Sequence, residues 1–347
     1  MSASTATSSR SGSPSGASLV AARAATPLYL RRVSALLAVA LHEPAAIMAS
    51  ALPTQLAAGA VASWTRLLPG LIGVQGRLRI FLEEQRGQLR STALVYDGRR
   101  PEWVVLILAA LAEPGGADSA FRLLSGISGA AARTGMHRIF AAVPDEARAR
   151  ETFFQAGFYS YTRETWFVAT RMSQAASSHA SSAREATGKD AHDLFRFYAM
   201  TTPHAVQRAE QLSFSDFDVS RRGGAYDPPH LIGGNPLSMR REHALIDGEE
   251  SRPRAFALAF AGMDRHPHVC KVRTQDGDVD LARDLLQETT RSLSAGRIVT
   301  SPVRSYEEHV GRALLSEGFR ETATSMLFTK ELATRVEERA FAPAVVR

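Results

Sequence analysis

Cysteine is almost absent from this chain of 347 residues, because Cys270 is the only one. A single cysteine excludes a disulfide within the chain and any zinc site built from cysteines. That pattern suits the reducing cytosol, and we expect a cytoplasmic location. Cys270 lies in an apolar run, so we interpret it as a small buried residue of a strand rather than a reactive thiol.

Long hydrophobic runs are missing as well. The apolar region 34–62 is interrupted by His42-Glu43-Pro44 and again by Pro53-Thr54-Gln55. Its uninterrupted stretches are far shorter than the ~20 apolar residues that a membrane span needs. We therefore expect no membrane partner.

Acidic residues are scarce at the start of the chain. Residues 1–82 hold seven arginines and one acid, Glu43, and the rest of the chain balances 34 bases against 34 acids, so this segment carries the whole net charge of +6. A basic nucleic-acid surface is therefore not expected on the folded part. Residues 1–26 are rich in Ser, Ala and Arg, and we interpret them as a disordered tail, with an organellar transit peptide as the alternative.

A ten-residue pattern occurs twice in the chain. Residues 115–124 read GGADSAFRLL and residues 277–286 read GDVDLARDLL, so both follow Gly-x-x-Asp-x-Ala-x-x-Leu-Leu. The copies are 162 residues apart, and each follows a mostly apolar run, at 103–111 and at 268–274.

Two further landmarks keep nearly the same spacing. Arg-Ile at 138–139 recurs 159 residues later at 297–298, and Gly-Phe at 157–158 recurs 161 residues later at 318–319. Three landmarks at one spacing predict a unit of roughly 160 residues that is used twice.

Hydrophobic periodicity predicts the same order of elements in both units, namely early helices, about three antiparallel strands, a helix, a strand, a helix and a strand. In the first unit the predicted elements are helices within 27–68, strands at 77–84, 89–97 and 102–111, a helix at 118–134, a strand at 137–143, a helix at 146–156 and a strand at 159–170. In the second they are strands at 242–247, 254–261 and 267–274, a helix at 280–294, a strand at 297–303, a helix at 305–316 and a strand at 320–329, after a long loop at 213–240. Gly157 suits the position just past the end of its helix.

The predicted fold class is α+β, with each unit a mixed, mostly antiparallel sheet flanked by helices. The predicted organisation is a tail at 1–26, a first domain at 27–170, a Ser/Ala-rich linker at 171–189, a second domain at 190–333 and a C-terminal tail at 334–347. We expect the two domains to pack as an intramolecular pseudo-dimer.

This order of elements, with Gly-Phe after the last helix of each unit, resembles the GNAT N-acetyltransferase superfamily twice over. FFQAGFYSYTRETWFV and LLSEGFRETATSMLFT look like the family's last helix and the strand after it. The resemblance implies acetyl-CoA as cofactor, lying against the fourth strand of a unit, with its pyrophosphate at a helix N-terminus where free N–H groups favour an anion. It also implies a small-molecule or peptide amine as acceptor.

Both copies depart from the family's phosphate-binding pattern, Arg/Gln-x-x-Gly-x-Gly/Ala. Gly115 and Gly277 stand where Arg or Gln is expected, and Asp118 and Asp280 replace the first glycine. Because Asp is a favoured N-cap, we interpret both aspartates as caps that fill the anion site from within.

A second departure concerns the general acid. The family's tyrosine four residues before the glycine is replaced by Phe153 in the first unit and by Leu314 in the second. Neither side chain can donate a proton.

The remaining polar candidates lie mainly in the second unit. His266, His268 and Cys270 alternate and so share a strand face, whereas the matching positions of the first unit are apolar. We predict His268 and Tyr306 as proton-handling residues. The predicted cofactor groove is formed by Val272, Arg273, Thr274, Gly277, Val279 and Ala282. No metal site is predicted, because the histidines have no carboxylate partner at a clear position.

Glu83 and Glu84 close a predicted strand of the first unit. We interpret them as a solvated pair, with a catalytic base as the alternative.

Two functions of different classes fit these observations. The first is an acyl-CoA-dependent N-acyltransferase whose first domain is inactive. The alternative is a non-catalytic binding or scaffold protein that kept the fold and lost CoA binding.

Overall fold

The computed structural model describes residues 23–24, 29–43, 45–50, 78–98, 100–112, 115–170, 182–220, 239–249, 252–263, 266–275, 277–291, 293–294 and 296–333. The predicted C-terminal tail, nearly all of the predicted N-terminal tail and residues 171–181 of the predicted linker lie outside the described residues. So do 51–68 of the predicted helical region and 221–238 of the predicted loop.

The first half of the chain contains seven strands and three α-helices among its described residues. They are β1 (Arg23–Ala24), α1 (Leu30–His42), β2 (Ile47–Ser50), β3 (Leu78–Gln85), β4 (Gln88–Asp97), β5 (Glu102–Ala110), α2 (Gly116–Arg133), β6 (Arg138–Pro144), α3 (Ala147–Gln155) and β7 (Tyr159–Ala169).

The second half, as far as it is described, contributes six strands and four α-helices. They are β8 (Arg184–Glu185), α4 (Ala191–Thr201), α5 (His204–Glu210), β9 (Met239–Glu249), β10 (Arg252–Gly262), β11 (His268–Thr274), α6 (Val279–Arg291), β12 (Val299–Arg304), α7 (Glu308–Ser316) and β13 (Arg320–Glu331). Strand β8 and a 3₁₀ turn at Gly188–Asp190 fall within the stretch predicted as linker.

The predicted order of elements is confirmed in both halves. Every strand and helix predicted from 77 to 170 and from 242 to 329 is present, with ends that shift by three residues or fewer. Gly157 and Gly318 have φ angles of 81° and 83° and end their helices in the left-handed conformation that glycine adopts without strain.

One prediction in the first half is wrong. The sequence predicts only helices within 27–68, and α1 is such a helix, but Ile47–Ser50 forms strand β2. This strand pairs antiparallel with Ile107–Ala110 at the end of β5. Its four residues are all buried, so its strand conformation is stabilised by tertiary contacts that local periodicity does not reveal.

All the described strands belong to one mixed sheet. Its order is β1-β3-β4-β5-β6-β13-β7-β12-β11-β10-β9-β8, with β2 beside β5. The order is nearly symmetric about the neighbours β13 and β7, and each half contains one parallel pair, β5 with β6 and β11 with β12. The last strand of each half lies beside the penultimate strand of the other, because β7 pairs with β12 and β13 pairs with β6.

Helices cover both faces of the sheet in each half. In the first half α1 packs on one face and α2 with α3 on the other. In the second half α4 packs on one face and α6 with α7 on the other. The predicted α+β class, with a mixed sheet flanked by helices, is therefore confirmed, although the exchanged final strands join the halves into one continuous sheet.

Candidate functional site

The groove of the first half lies where the parallel strands β5 and β6 diverge. They pair only from Glu102 to Val105, and beyond that point β2 takes the place beside β5. Ala49 and Ile47 of β2 pack into the core beneath α2, while Met48 packs into the core beneath α1. The strand edge that an extended ligand could use is therefore already hydrogen-bonded to the chain itself.

The groove of the second half differs at the same place. Strands β11 and β12 pair only at His268 and Val269, opposite Val299 and Thr300. From Cys270 to Thr274 no described strand pairs with β11 on its β12 side, while β10 covers the other side. Of the two equivalent edges, the one in the second half, which we call the open edge, thus has no strand on it among the described residues.

The helix that begins beside the second groove is capped by Asp278. Its carboxylate accepts a hydrogen bond from the backbone N–H of Leu281 at 2.9 Å. The prediction that Asp280 caps this helix is wrong, because Asp280 is 85% exposed and instead pairs with Arg283. Capping is still provided by an aspartate, two residues earlier, and one N–H of the potential anion site is occupied.

The corresponding helix of the first half, α2, has no side-chain cap. Gly115 occupies the N-cap position with a φ of 99°, and Asp118 lies exposed in the first turn. The prediction that Asp118 is an N-cap is therefore also wrong. A carboxylate in the first turn still interacts favourably with the helix dipole.

Glu83 is not the solvated side chain that we predicted. It is 3% exposed, and its carboxylate accepts hydrogen bonds from Ser119 and, at 2.9 Å, from Arg122. Glu84 is partly exposed and pairs with Arg32. Both partners of Glu83 lie on α2, so this carboxylate fastens the helix to β3.

A cluster of buried charges lies beside the second groove, on the face covered by α4. The guanidinium of Arg304, at the end of β12, bonds Glu164 at 2.9 Å and Glu210 at 3.0 Å, and all three side chains are almost fully buried. Tyr198 donates a further hydrogen bond to Glu210 at 2.8 Å. Because Glu164 belongs to β7 of the first half, these bonds tie both halves together.

Arg273 extends this cluster of buried charges to the C-terminal end of β11, beside the second groove. Its guanidinium pairs with Glu307 at 2.6 Å and donates to the Tyr306 hydroxyl at 2.8 Å and to Thr202 at 3.0 Å. Burial lowers the pKa of Arg273, but Glu307, Tyr306 and Glu210 together outweigh it, so the net shift is upward and the group stays charged. Arg273 thereby bridges the end of β11 and the start of α7.

The two predicted proton-handling residues occupy different surroundings. Burial raises the pKa of Tyr306 to about 12, so its phenol keeps its proton at neutral pH. His268 lies at the start of β11, where its Nδ1 accepts the Gly262 N–H at 3.1 Å and its Nε2 lies 3.0 Å from Ser294 Oγ. Burial lowers the pKa of His268, and both its nitrogens are engaged.

The predicted groove residues lie around the open edge. Val272, Arg273 and Thr274 belong to β11, with Val272 facing the core beneath α6 and Arg273 facing the opposite side. Gly277 has a φ of 73°, and a Cβ atom added to it would have no neighbouring atom within 4 Å. Ala282 is buried in α6 and Val279 begins that helix. Cys270 is fully buried in the same strand, as predicted.

Several groups near the groove are missing from the sequence-based prediction. Asp278 caps α6, Lys271 is fully buried on β11, and burial lowers the pKa of this lysine to about 8. The sequence carries one signal for them, because two bases alternate with apolar residues in HVCKVRT, where a buried strand normally carries none. The carboxylates that pair with Arg273 and Arg304 come from distant parts of the chain, which no local pattern predicts; they are Glu164, Glu210 and Glu307.

The first half also holds the end of α5, the helix that supplies Glu210. Arg100 donates to the carbonyl oxygens of Glu210 and Gln211, and Arg138 donates to that of Ala209. Buried Glu102 lies between these two arginines, 3.7 Å from Arg100. Cations at a helix C-terminus stabilise it, so the first half positions a residue of the charge cluster.

The described residues include no helix long and apolar enough to cross a membrane. Among the described residues no group of His, Cys, Asp and Glu is arranged to hold a metal ion.

No protein-family model matches this chain, and no curated protein matches its sequence. Solved structures do match its fold. A GCN5-related N-acetyltransferase from Sphaerobacter thermophilus has a TM-score of 0.51 and 14% identity, over 90% of this chain and 96% of that one. A putative acetyltransferase from Pyrococcus horikoshii has a TM-score of 0.47 and 12% identity, over 91% and 90%.

A tandem GNAT protein from the clavulanic acid biosynthesis pathway has a TM-score of 0.46 and 10% identity, over 84% of this chain and 99% of that one. The fold assignment rests on the Sphaerobacter thermophilus structure, which matches nearly the full length of both chains. This chain has the fold of the GCN5-related N-acetyltransferases, with the same order of elements in its two halves.

Proposed function

We propose that the second half binds an acyl-CoA and transfers its acyl group to an amine, and that the first half has a structural role. One observation carries this proposal. The groove between β5 and β6 is filled by β2, whereas the matching edge of β11, from Cys270 to Thr274, has no strand partner among the described residues. The first groove does not fit a cofactor, and the edge of the second does.

The chain's own residues suggest how the second groove would work. Backbone groups of Cys270–Thr274 would hold the extended arm of the cofactor, and the turn at Gly277 would receive its phosphates at the N-terminus of α6. Bound there, acetyl-CoA supplies a thioester that an amine can attack. Tyr306 keeps its proton at neutral pH and is held by Arg273 at the end of β11, so it is our candidate hydrogen-bond donor to the part of the cofactor beside Thr274. The acceptor would be a small-molecule or peptide amine.

The second candidate is a non-catalytic binding or scaffold protein, and one residue favours it. The carboxylate of Asp278 occupies the N-terminus of α6, where a phosphate would otherwise bind. A negative charge at this position opposes an incoming anion.

Asp278→Asn in the full-length protein distinguishes the two functions. Asparagine caps a helix about as well as aspartate, so the variant removes the charge and keeps the cap. Two charges about 5 Å apart near a protein surface interact by roughly 1–3 kcal/mol, so acetyl-CoA should bind about fivefold or more tightly. Isothermal titration calorimetry gives the dissociation constants.

Asp280→Asn is the matched control. It removes the same charge two residues further into the helix, but Asp280 is exposed and pairs with Arg283 rather than with the helix N–H groups. Its affinity for acetyl-CoA should stay close to the wild-type value. If neither the wild type nor Asp278→Asn binds acetyl-CoA, the non-catalytic function replaces the enzymatic one.

A further inference from the structure

The narrow end of the second groove is formed by two small side chains. Strands β11 and β12 separate after Val269 and Thr300, and the next residues on the two strands are Cys270 and Ser301. Cys270 packs in the core beneath α6 and α7. Ser301 is two residues from Val299, which packs in the same core, so both side chains face the same side of the sheet.

Ser301 carries a buried hydroxyl at this position. It is fully buried, and its Oγ has no hydrogen-bond partner among the described residues. The neighbouring hydroxyl of Thr300, by contrast, donates to the His268 carbonyl oxygen at 3.0 Å. A buried hydroxyl is more stable with an acceptor, and at the point of divergence this one is placed to donate to an acceptor beyond the described residues.

A second unsatisfied atom lies at the other end of the open edge. His309, in the first turn of α7, bonds the backbone of Thr274, and its buried Nε2 has no partner among the described residues. Thr274 is four residues from Cys270, which corresponds to about 13 Å along a strand. The open edge therefore has a hydrogen-bonding side chain at each end.

We propose that Ser301 donates a hydrogen bond to the carbonyl oxygen of an acyl thioester bound where β11 and β12 diverge. This inference rests on the proposed function of the second groove. With phosphates at the N-terminus of α6, beside Thr274, an extended arm along β11 brings the thioester to Cys270 and Ser301 at the opposite end. The carbonyl oxygen accepts hydrogen bonds and cannot donate one, so it complements a hydroxyl that has a proton to donate.

The test compares acetyl-CoA with free CoA, which lacks the carbonyl group. Ser301→Ala in the full-length protein should weaken acetyl-CoA binding about fivefold and leave the affinity for CoA unchanged. The variant should be at least as stable as the wild type, because it removes an unsatisfied buried hydroxyl. A residue needed only for packing would instead lower the unfolding midpoint and affect both ligands alike.

Thr329→Val is the matched control. Thr329 is also fully buried with an unpartnered hydroxyl, but it lies on β13 between β6 and β7. It should retain wild-type affinity for both ligands. Equal weakening of both ligands by Ser301→Ala, or no weakening, overturns the assignment of Ser301 while the proposed function stands. A wild-type protein that binds neither ligand removes the proposed function and this inference together.

Discussion

Replacing Arg304 by methionine should destabilise the protein more than any surface substitution. Methionine keeps the unbranched stem and removes the guanidinium that Glu164 and Glu210 share at 2.9 and 3.0 Å. All three side chains are 2% exposed or less, so the carboxylates would stay buried with their main counter-charge gone. Breaking a buried ion pair from one side costs about 3–5 kcal/mol, and we expect a loss in this range.

Urea denaturation of the full-length protein measures this loss, and Arg240→Met provides the baseline. Arg240 is 74% exposed in its pair with Glu242, and pairs of that kind contribute about 0–1 kcal/mol. Adding Glu164→Gln and Glu210→Gln to Arg304→Met should restore part of the stability, because the unpaired charges disappear. A loss for Arg304→Met within about 1 kcal/mol of the Arg240→Met value would refute the importance of this cluster.

Two further predictions concern the junction between the halves and the helix ends. Burial raises the pKa of Glu102 from 4.5 to about 7, so the folded state keeps a proton that the unfolded chain releases, and stability should fall as pH rises through this window. Glu102→Gln should remove that fall and gain at most about 3 kcal/mol at pH 8, and an unchanged pH slope in urea titrations would contradict this. Gly157→Ala and Gly318→Ala should each cost about 1 kcal/mol because of their positive φ, whereas Gly129→Ala, inside α2, should gain a similar amount. Equal thermal midpoints for the three glycine variants would disprove this explanation.

Most of the elements could be predicted because their signals are local. Alternation identified β3 and β4, a continuous apolar run identified β5, the repeated Leu-Leu identified α2 and α6, and Gly157 and Gly318 marked helix ends. Strand β2 could not be predicted, because four residues in an apolar, helix-like region become a strand only through pairing with Ile107–Ala110. The pairing of β7 with β12 and of β13 with β6 could not be predicted either, because periodicity predicts strands but not which strands are neighbours.

The site was predicted less well than the fold. The sequence predicted a groove in the second half at the turn around Gly277, which stays a prediction, and it placed the cap at Asp280, two residues beyond Asp278. It offered His268 for proton transfer, where the structure engages both ring nitrogens. The burial of Glu83 depends on Arg122 and Ser119, which are distant in sequence. Such long-range partners decide burial and charge, and local patterns do not specify them.

Hydrogen exchange of the full-length protein with and without acetyl-CoA tests the assignment of the grooves most directly. A ligand paired with the open edge of β11 should slow exchange in peptides that cover Cys270–Thr274. Peptides covering Ile47–Ser50 and Ile107–Ala110 should exchange equally with and without ligand, because these strands already pair with each other. Slower exchange at Ile107–Ala110 with faster exchange at Ile47–Ser50 would show that the ligand displaces β2 from the first groove, and would contradict the assignment.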